Sequence, residues 1–308
     1  MNLGYIQDKH DVADWRLGAV TGMRNVTRVP NGQWDNHLAG LELQRKGGLE
    51  TMACVSFSLL NCLETIHKFE GYELNYSDRA LAKMSGTTKN GNSMRQVADT
   101  ARNQGLAHEI VWPFDDSVKT WEEFYKPIPA SVALATSDFV TKNTIEYETV
   151  FAYPDLMAKA LEASPLQVAL YAYGPRLNGV YQRVDNDSNH CVMVYGYDWG
   201  NYWKVYDHYE NAYKRMSWDY EFNFIYKFDI YEPMPQPMKL PNNVLVQLVT
   251  PPGGFALHLN GKLIVDDLDK LLASFIVRNN GDILKKAVAL TGEDWAKFPK
   301  VNLKNDPI

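Results

Sequence analysis

Thr51-Met52-Ala53-Cys54-Val55-Ser56-Phe57-Ser58-Leu59-Leu60 reads as a loop that turns into an apolar helix, with a thiol in its first turn. Apolar residues at 55, 59, 60, 63 and 66 give that helix a buried stripe to about Phe69. A distant stretch, Asn189-His190-Cys191-Val192-Met193-Val194-Tyr195-Gly196-Tyr197, reads as a strand that begins with an imidazole. The thiolate is the attacking form of cysteine, and a helix N-terminus and an adjacent imidazolium both favour it. Cys54 and His190 are therefore candidate catalytic residues. The plain alternative is a buried helix cysteine, the commoner fate of a lone thiol.

The histidine strand runs to a turn at Asp198-Trp199-Gly200-Asn201, and Tyr202-Trp203-Lys204-Val205-Tyr206 forms the return strand. A hairpin folded about that turn sets Asp207 across from His190, close enough to hold its ring. A half-buried hairpin carrying a chance His and Asp at its open end is the competing reading. Strand alternation places Cys191 on the opposite face from His190.

Helical signals dominate the first half. Ser77 or Asp78 caps a short helix, Ser93 caps another that Gly105 ends, and 155–163 forms a further one. Strand signals dominate the second half, at 166–172 and through 190–231, so the fold class is α+β with segregated lobes. Residues 1–50 read as an extended segment wrapping the domain, 51–232 as the main domain, and 233–242 as a proline-rich linker. Residues 243–308 read as a small accessory region. It holds strands at 244–249 and 256–265, turning at Asn260-Gly261, an amphipathic helix at 266–277 and a helix start at Thr291.

The 308 residues carry a net charge of −6 with a pI near 5.7, which suggests no nucleic-acid partner. No apolar run is long enough to span a membrane. Three cysteines make no disulfide framework, because Cys54 and Cys62 lie too far apart along one helix to bridge. They read as free thiols of a reducing compartment, and the first residues do not form a signal peptide. No zinc spacing, phosphate loop or EF-hand is present, so neither a metal nor a cofactor is expected.

Several motifs follow one another in an order that resembles the papain-like cysteine peptidases, the C1 family. They are Asp14-Trp15-Arg16 with Gly18-Ala19-Val20, Cys54-Val55-Ser56-Phe57-Ser58, Ser77-Asp78-Arg79, Asn90-Gly91, Gly105-Leu106, Trp112-Pro113-Phe114, Asn189-His190 and Tyr202-Trp203-Lys204-Val205. Together they span about residues 14–231. The 136 positions between Cys54 and His190 fall within the roughly 130–150 of papain-type enzymes. The resemblance implies a helical lobe and an antiparallel sheet or barrel lobe, with a small C-terminal extension. It implies amide hydrolysis, with Cys54 as nucleophile, His190 as proton shuttle and Asp207 orienting the ring. It also implies substrate contacts at Asn90, Gly91, Asn189 and Tyr209.

The sequence departs from that pattern in several places. Asp207-His208-Tyr209 stands where Asn-Ser-Trp is usual, and Val55 where Trp is usual. The oxyanion glutamine is displaced: position 48 is Gly, and Gln44 is the candidate, with the Cys54 N–H as second donor. No family propeptide is recognisable. Such features resemble papain-like proteins of bacterial and phage genomes. That resemblance implies cytoplasmic synthesis, incorporation in a virion, and virion-protein partners for 243–308. The substrate is then a polypeptide or the peptide of peptidoglycan. The competing function is a virion docking protein with weak or no activity.

Overall fold

This computed structural model describes residues 2–9, 26–209 and 213–231, and five strands between 244 and 301. The chain divides into two compact units, Met1–Glu232 and Pro233–Ile308. The Asp14 and Gly18 motif, the Asn260-Gly261 turn, the linker and the helices expected at 266–277 and from Thr291 lie outside the described residues.

The first unit is built around α1 (Cys54–Phe69). One buried stripe was expected, yet residues 54 through 67 are buried on every side. A helix buried all round sits between two layers rather than on a surface. Here α2 (Asp78–Met84) and α3 (Met94–Gln104) lie on one side of it, and the main sheet on the other. Ser77 and Ser93 cap α2 and α3 by accepting from Ala80 N and Gln96 N, and Gly105 ends α3 at φ +84°. The short α4 (Trp121–Phe124) and the longer α5 (Ala130–Lys142) complete the helical lobe.

The sheet lobe follows β1 (Arg45–Lys46) and β2 (Leu49–Glu50), a small hairpin turned by Gly47 and Gly48, both at positive φ. Two consecutive left-handed residues make the tight turn that matches strand twist. The main sheet comprises β3 (Thr144–Thr149), β4 (Leu166–Leu170), β5 (Arg176–Leu177), β6 (Val180–Tyr181), β7 (His190–Asp198), β8 (Tyr202–Tyr206), β9 (Tyr213–Ser217) and β10 (Phe222–Tyr231). Their spatial order is β3-β10-β4-β7-β8-β9-β6-β5, antiparallel except for the β6/β9 pair. Helix α6 (Pro154–Leu161) joins β3 to β4. This is the α+β, two-lobe arrangement expected.

The β7–β8 register differs from the expected one. Beside the turn Asp198 pairs with Tyr202, three residues out of the expected hairpin, and a slip between Val194 and Gly196 brings Met193 opposite Tyr206, two residues out. A bulge of this kind adds a residue to one strand and shifts every pair beyond it.

The second unit has a five-stranded sheet of β11 (Val244–Leu248), β12 (Gly254–Leu259), β13 (Lys262–Ile264), β14 (Val288–Leu290) and β15 (Lys300–Val301). Its order is β14-β11-β12-β13-β15.

Candidate active site

Cys54 is the first residue of α1, and the cap residue Ala53 offers no side-chain hydrogen bond. The opening N–H groups of the helix therefore keep their partial positive charge beside the sulfur. Two bonds fix this turn. Ser58 Oγ donates to Cys54 O at 2.8 Å, and Gln167 of β4 donates from Nε2 to Val55 O at 2.8 Å.

His190 opens β7 and is anchored at its far nitrogen. Nε2 lies 2.9 Å from Asp207 Oδ1. Nδ1 is buried with no hydrogen-bond partner among the described residues, and the effect of Cys54 and His190 on each other's titration sets the thiol beside this ring. Asp207 stands one residue past β8 and so reaches His190 despite the shifted register. Its carboxylate also receives Tyr209 N at 3.0 Å on Oδ1, and Lys214 Nζ at 2.6 Å and the Tyr173 hydroxyl on Oδ2.

Burial pushes the Cys54 thiol up. The hydrogen bonds from Cys191 and His190, with the His190 charge, outweigh it and leave the thiol at about 6. Burial pushes His190 down, but the Asp207 charge and hydrogen bond raise it to about 9. Asp207 itself, despite burial, is held far below the usual carboxylate range, chiefly by His190. The two shifts run in opposite directions, and both favour the thiolate–imidazolium form of the pair. Cys191 lies against the same sulfur as His190, contrary to simple strand alternation. His190 begins the strand, where α1 meets its end, so the two side chains are not parted by the sheet.

Four of the other expected residues, Gln44, Asn90, Gly91 and Asn189, meet the chain's own residues 2–4. Gln44 is fully buried, and its amide donates to Leu3 O at 3.3 Å and to Glu50 Oε1 at 3.1 Å. Asn189 O accepts Leu3 N at 2.9 Å. Asn90 O accepts the Asn2 amide at 2.8 Å. Gly91 is at φ +93°, and a Cβ there would meet Gly4 O at 2.0 Å. A Cβ on Gly4 would in turn meet Met52 O at 2.5 Å, so this segment threads between the two walls of the site. Asn92 bonds Gly4 O and Ile6 N through its backbone, and Tyr5 is buried in the core that contains Cys54 and Cys191. The Tyr209 ring stands 5.9 Å from that of His190, edge to face. Cys54, His190 and Asp207 are each 0 % exposed.

Sequence reasoning missed Lys214, Tyr173 and His208. Lys214 had a readable signal: it is two residues from Met216 on β9, so both face inward. A buried lysine requires an anion. His208 is held neutral, burial pushing it down to about 3, and it stacks on Phe57 at 5.2 Å.

No protein-family model matches the chain, and neither does any curated protein. Solved structures do. Xylellain, a cysteine protease from Xylella fastidiosa, aligns with a TM-score of 0.53 at 17 % identity, over 76 % of this chain and 96 % of that one. Digestive procathepsin L 3 of the Tenebrio molitor larval midgut aligns at 0.50 and 18 % identity, over 76 % of each chain.

The first unit has the papain-like fold.

In that fold the start of α1 and the start of β7 face each other, which is why Cys54 and His190 meet across 136 residues of chain. His190, Asp207 and His208 also offer three donor atoms within 4.8 Å of one another. The Lys214 ammonium on Asp207 opposes a cation there. Among the described residues no helix is long and apolar enough to cross a membrane.

Proposed function

We propose that the papain-fold unit is a thiol peptidase in which Cys54 attacks, His190 moves the proton, Asp207 orients His190, and Gln44 with the Cys54 N–H stabilises the oxyanion. One observation carries this reading. A helix-start thiol drawn down to about 6 adjoins an imidazole drawn up to about 9, and a buried carboxylate anchors that ring. Such opposed shifts mark a nucleophile and its base.

The chemistry follows directly. The Cys54 thiolate adds to the scissile carbonyl carbon, forming a C–S bond. The imidazolium gives its proton to the leaving amine as the C–N bond breaks. Neutral His190 then takes a proton from water, whose oxygen attacks the thioester. The C–S bond breaks, the acid departs, and the thiolate–imidazolium pair is restored.

A peptide substrate is favoured over other amides because the cleft already holds one. Leu3 to Ile6 run past Asn189 and Asn92 through backbone hydrogen bonds, bending at Gly4, with the Leu3 carbonyl on the Gln44 amide. Main-chain bonding of this kind accepts any extended polypeptide. The test is incubation of the wild type and Cys54→Ala with an unfolded protein and a cross-linked peptidoglycan peptide, read by mass spectrometry. Cleavage of the former by the wild type alone supports the proposal. Cleavage by neither variant, on either substrate, contradicts it.

A further inference from the structure

Asp207 presents an electrostatic difficulty. A carboxylate that is fully buried beside His190 steers the ring, but its charge also holds the proton on it. Peptide hydrolysis needs His190 to release that proton to the leaving amine and then to act as a neutral base, so its pKa must stay near the working pH. A buried negative charge also needs a partner.

The partner is on β9. Lys214 faces inward, 7 % exposed, and its Nζ lies 2.6 Å from Asp207 Oδ2, the oxygen opposite the one His190 uses. Nζ also lies 5.1 Å over the Tyr173 ring, whose hydroxyl donates to that same oxygen. Thus Asp207 bridges two cations. With Cys54 as thiolate, the buried quartet of Cys54, His190, Asp207 and Lys214 carries two negative and two positive charges. The other polar groups facing His190 are Cys191, His208, Tyr173 and Tyr209. Burial keeps Cys191 and Tyr173 protonated and His208 neutral, so they add no net charge.

Building on the thiol-peptidase reading, we propose that Lys214 is a positioning residue that offsets part of the Asp207 charge felt at His190, so the carboxylate can orient the ring and the ring can still release its proton. Lys214 thereby offsets part of the Asp207 charge, and the remainder still favours the protonated ring. This accounts for a lysine inside the sheet lobe and for a carboxylate at a position where a neutral amide would serve.

The experiment is the pH dependence of kcat/KM on a peptide, together with thiolate absorbance, in wild type, Lys214→Met, Lys214→Arg, Asp207→Asn and the double variant Asp207→Asn/Lys214→Met. Removing the lysine charge should move the basic limb upward by on the order of one pH unit, while arginine leaves the limb in place. Asp207→Asn should move it downward, and the double variant should lie between. The double variant leaves no unpaired buried charge, so it remains informative if Lys214→Met does not fold. A uniform loss of rate with an unmoved limb in Lys214→Met would overturn the proposal and make Lys214 merely structural. So would a double variant whose limb coincides with that of Asp207→Asn. A wild type with an ordinary thiol titration and no basic limb would instead overturn the peptidase reading, and the proposal with it.

Discussion

Replacing Tyr5 by alanine should open the site. Tyr5 is 3 % exposed, shares a core cluster with Cys54 and Cys191, and accepts Asp8 N on its hydroxyl at 3.2 Å. Truncating a buried aromatic to alanine costs about 3–5 kcal/mol. Most of that loss falls on the docked N-terminal segment, since the main sheet and α1 stay intact. The segment's other anchors are modest: each backbone hydrogen bond, such as Leu3 N to Asn189 O, contributes about 1 kcal/mol net, against about 1–2 kcal/mol of backbone entropy per ordered residue. Taking about 3 kcal/mol, and 1.4 kcal/mol per factor of ten, the open population should rise roughly 100-fold. The assay is the rate of Cys54 alkylation by iodoacetamide at neutral pH, with folding checked by circular dichroism. Gly4→Ala should act in the same direction, because its φ of +115° and a Cβ 2.5 Å from Met52 O exclude a side chain. A folded Tyr5→Ala protein that alkylates no faster than wild type would refute the idea that residues 2–8 limit access to the thiol.

Three further outcomes follow from the same geometry. Cys54→Ala should lower kcat/KM on a peptide by at least about 10⁴-fold, whereas Cys62→Ala, a core change in α1, should alter stability more than rate. The pH profile of kcat/KM should be a bell that rises through about 6 and falls through about 9, measured on wild type under steady state. His208, whose folded pKa is depressed to about 3, contributes stability that is present above its unfolded value near 6.5 and is lost as pH falls toward 3. His208→Gln should therefore flatten the fall in Tm over that acid range, as followed by thermal melts.

Much of the fold was legible because strong local signals coincide with it. Helix α1 begins and ends where the thiol and its apolar stripe place it, and Ser77, Ser93 and Gly105 mark the ends of α2 and α3 through their capping chemistry. Helix α5 and strand β3 were not read. Pro129 precedes α5 without a side-chain cap, and only Val132, Thr136 and Phe139 of that helix are buried, so its periodicity is faint. The hairpin arithmetic led to Asp207 for an incomplete reason. The turn itself sets the ladder three residues out, a bulge brings it back by one, and Asp207 reaches His190 by leaving β8 rather than by pairing across it. Residues 2–8 carried no periodic signal, since their order comes from long-range partners at Asn92, Asn189 and Met94. The fate of the Gln44 amide was likewise invisible, because it depends on Leu3, 41 positions away.

The central claim is that Cys54 is a preformed thiolate paired with His190. Ultraviolet thiolate absorbance, titrated in wild type and subtracted by the same titration of Cys54→Ala, tests this without requiring a substrate or an open cleft. A difference curve with its midpoint at about 6 is the predicted result. A midpoint at the ordinary thiol value of about 8.5 or higher would contradict it.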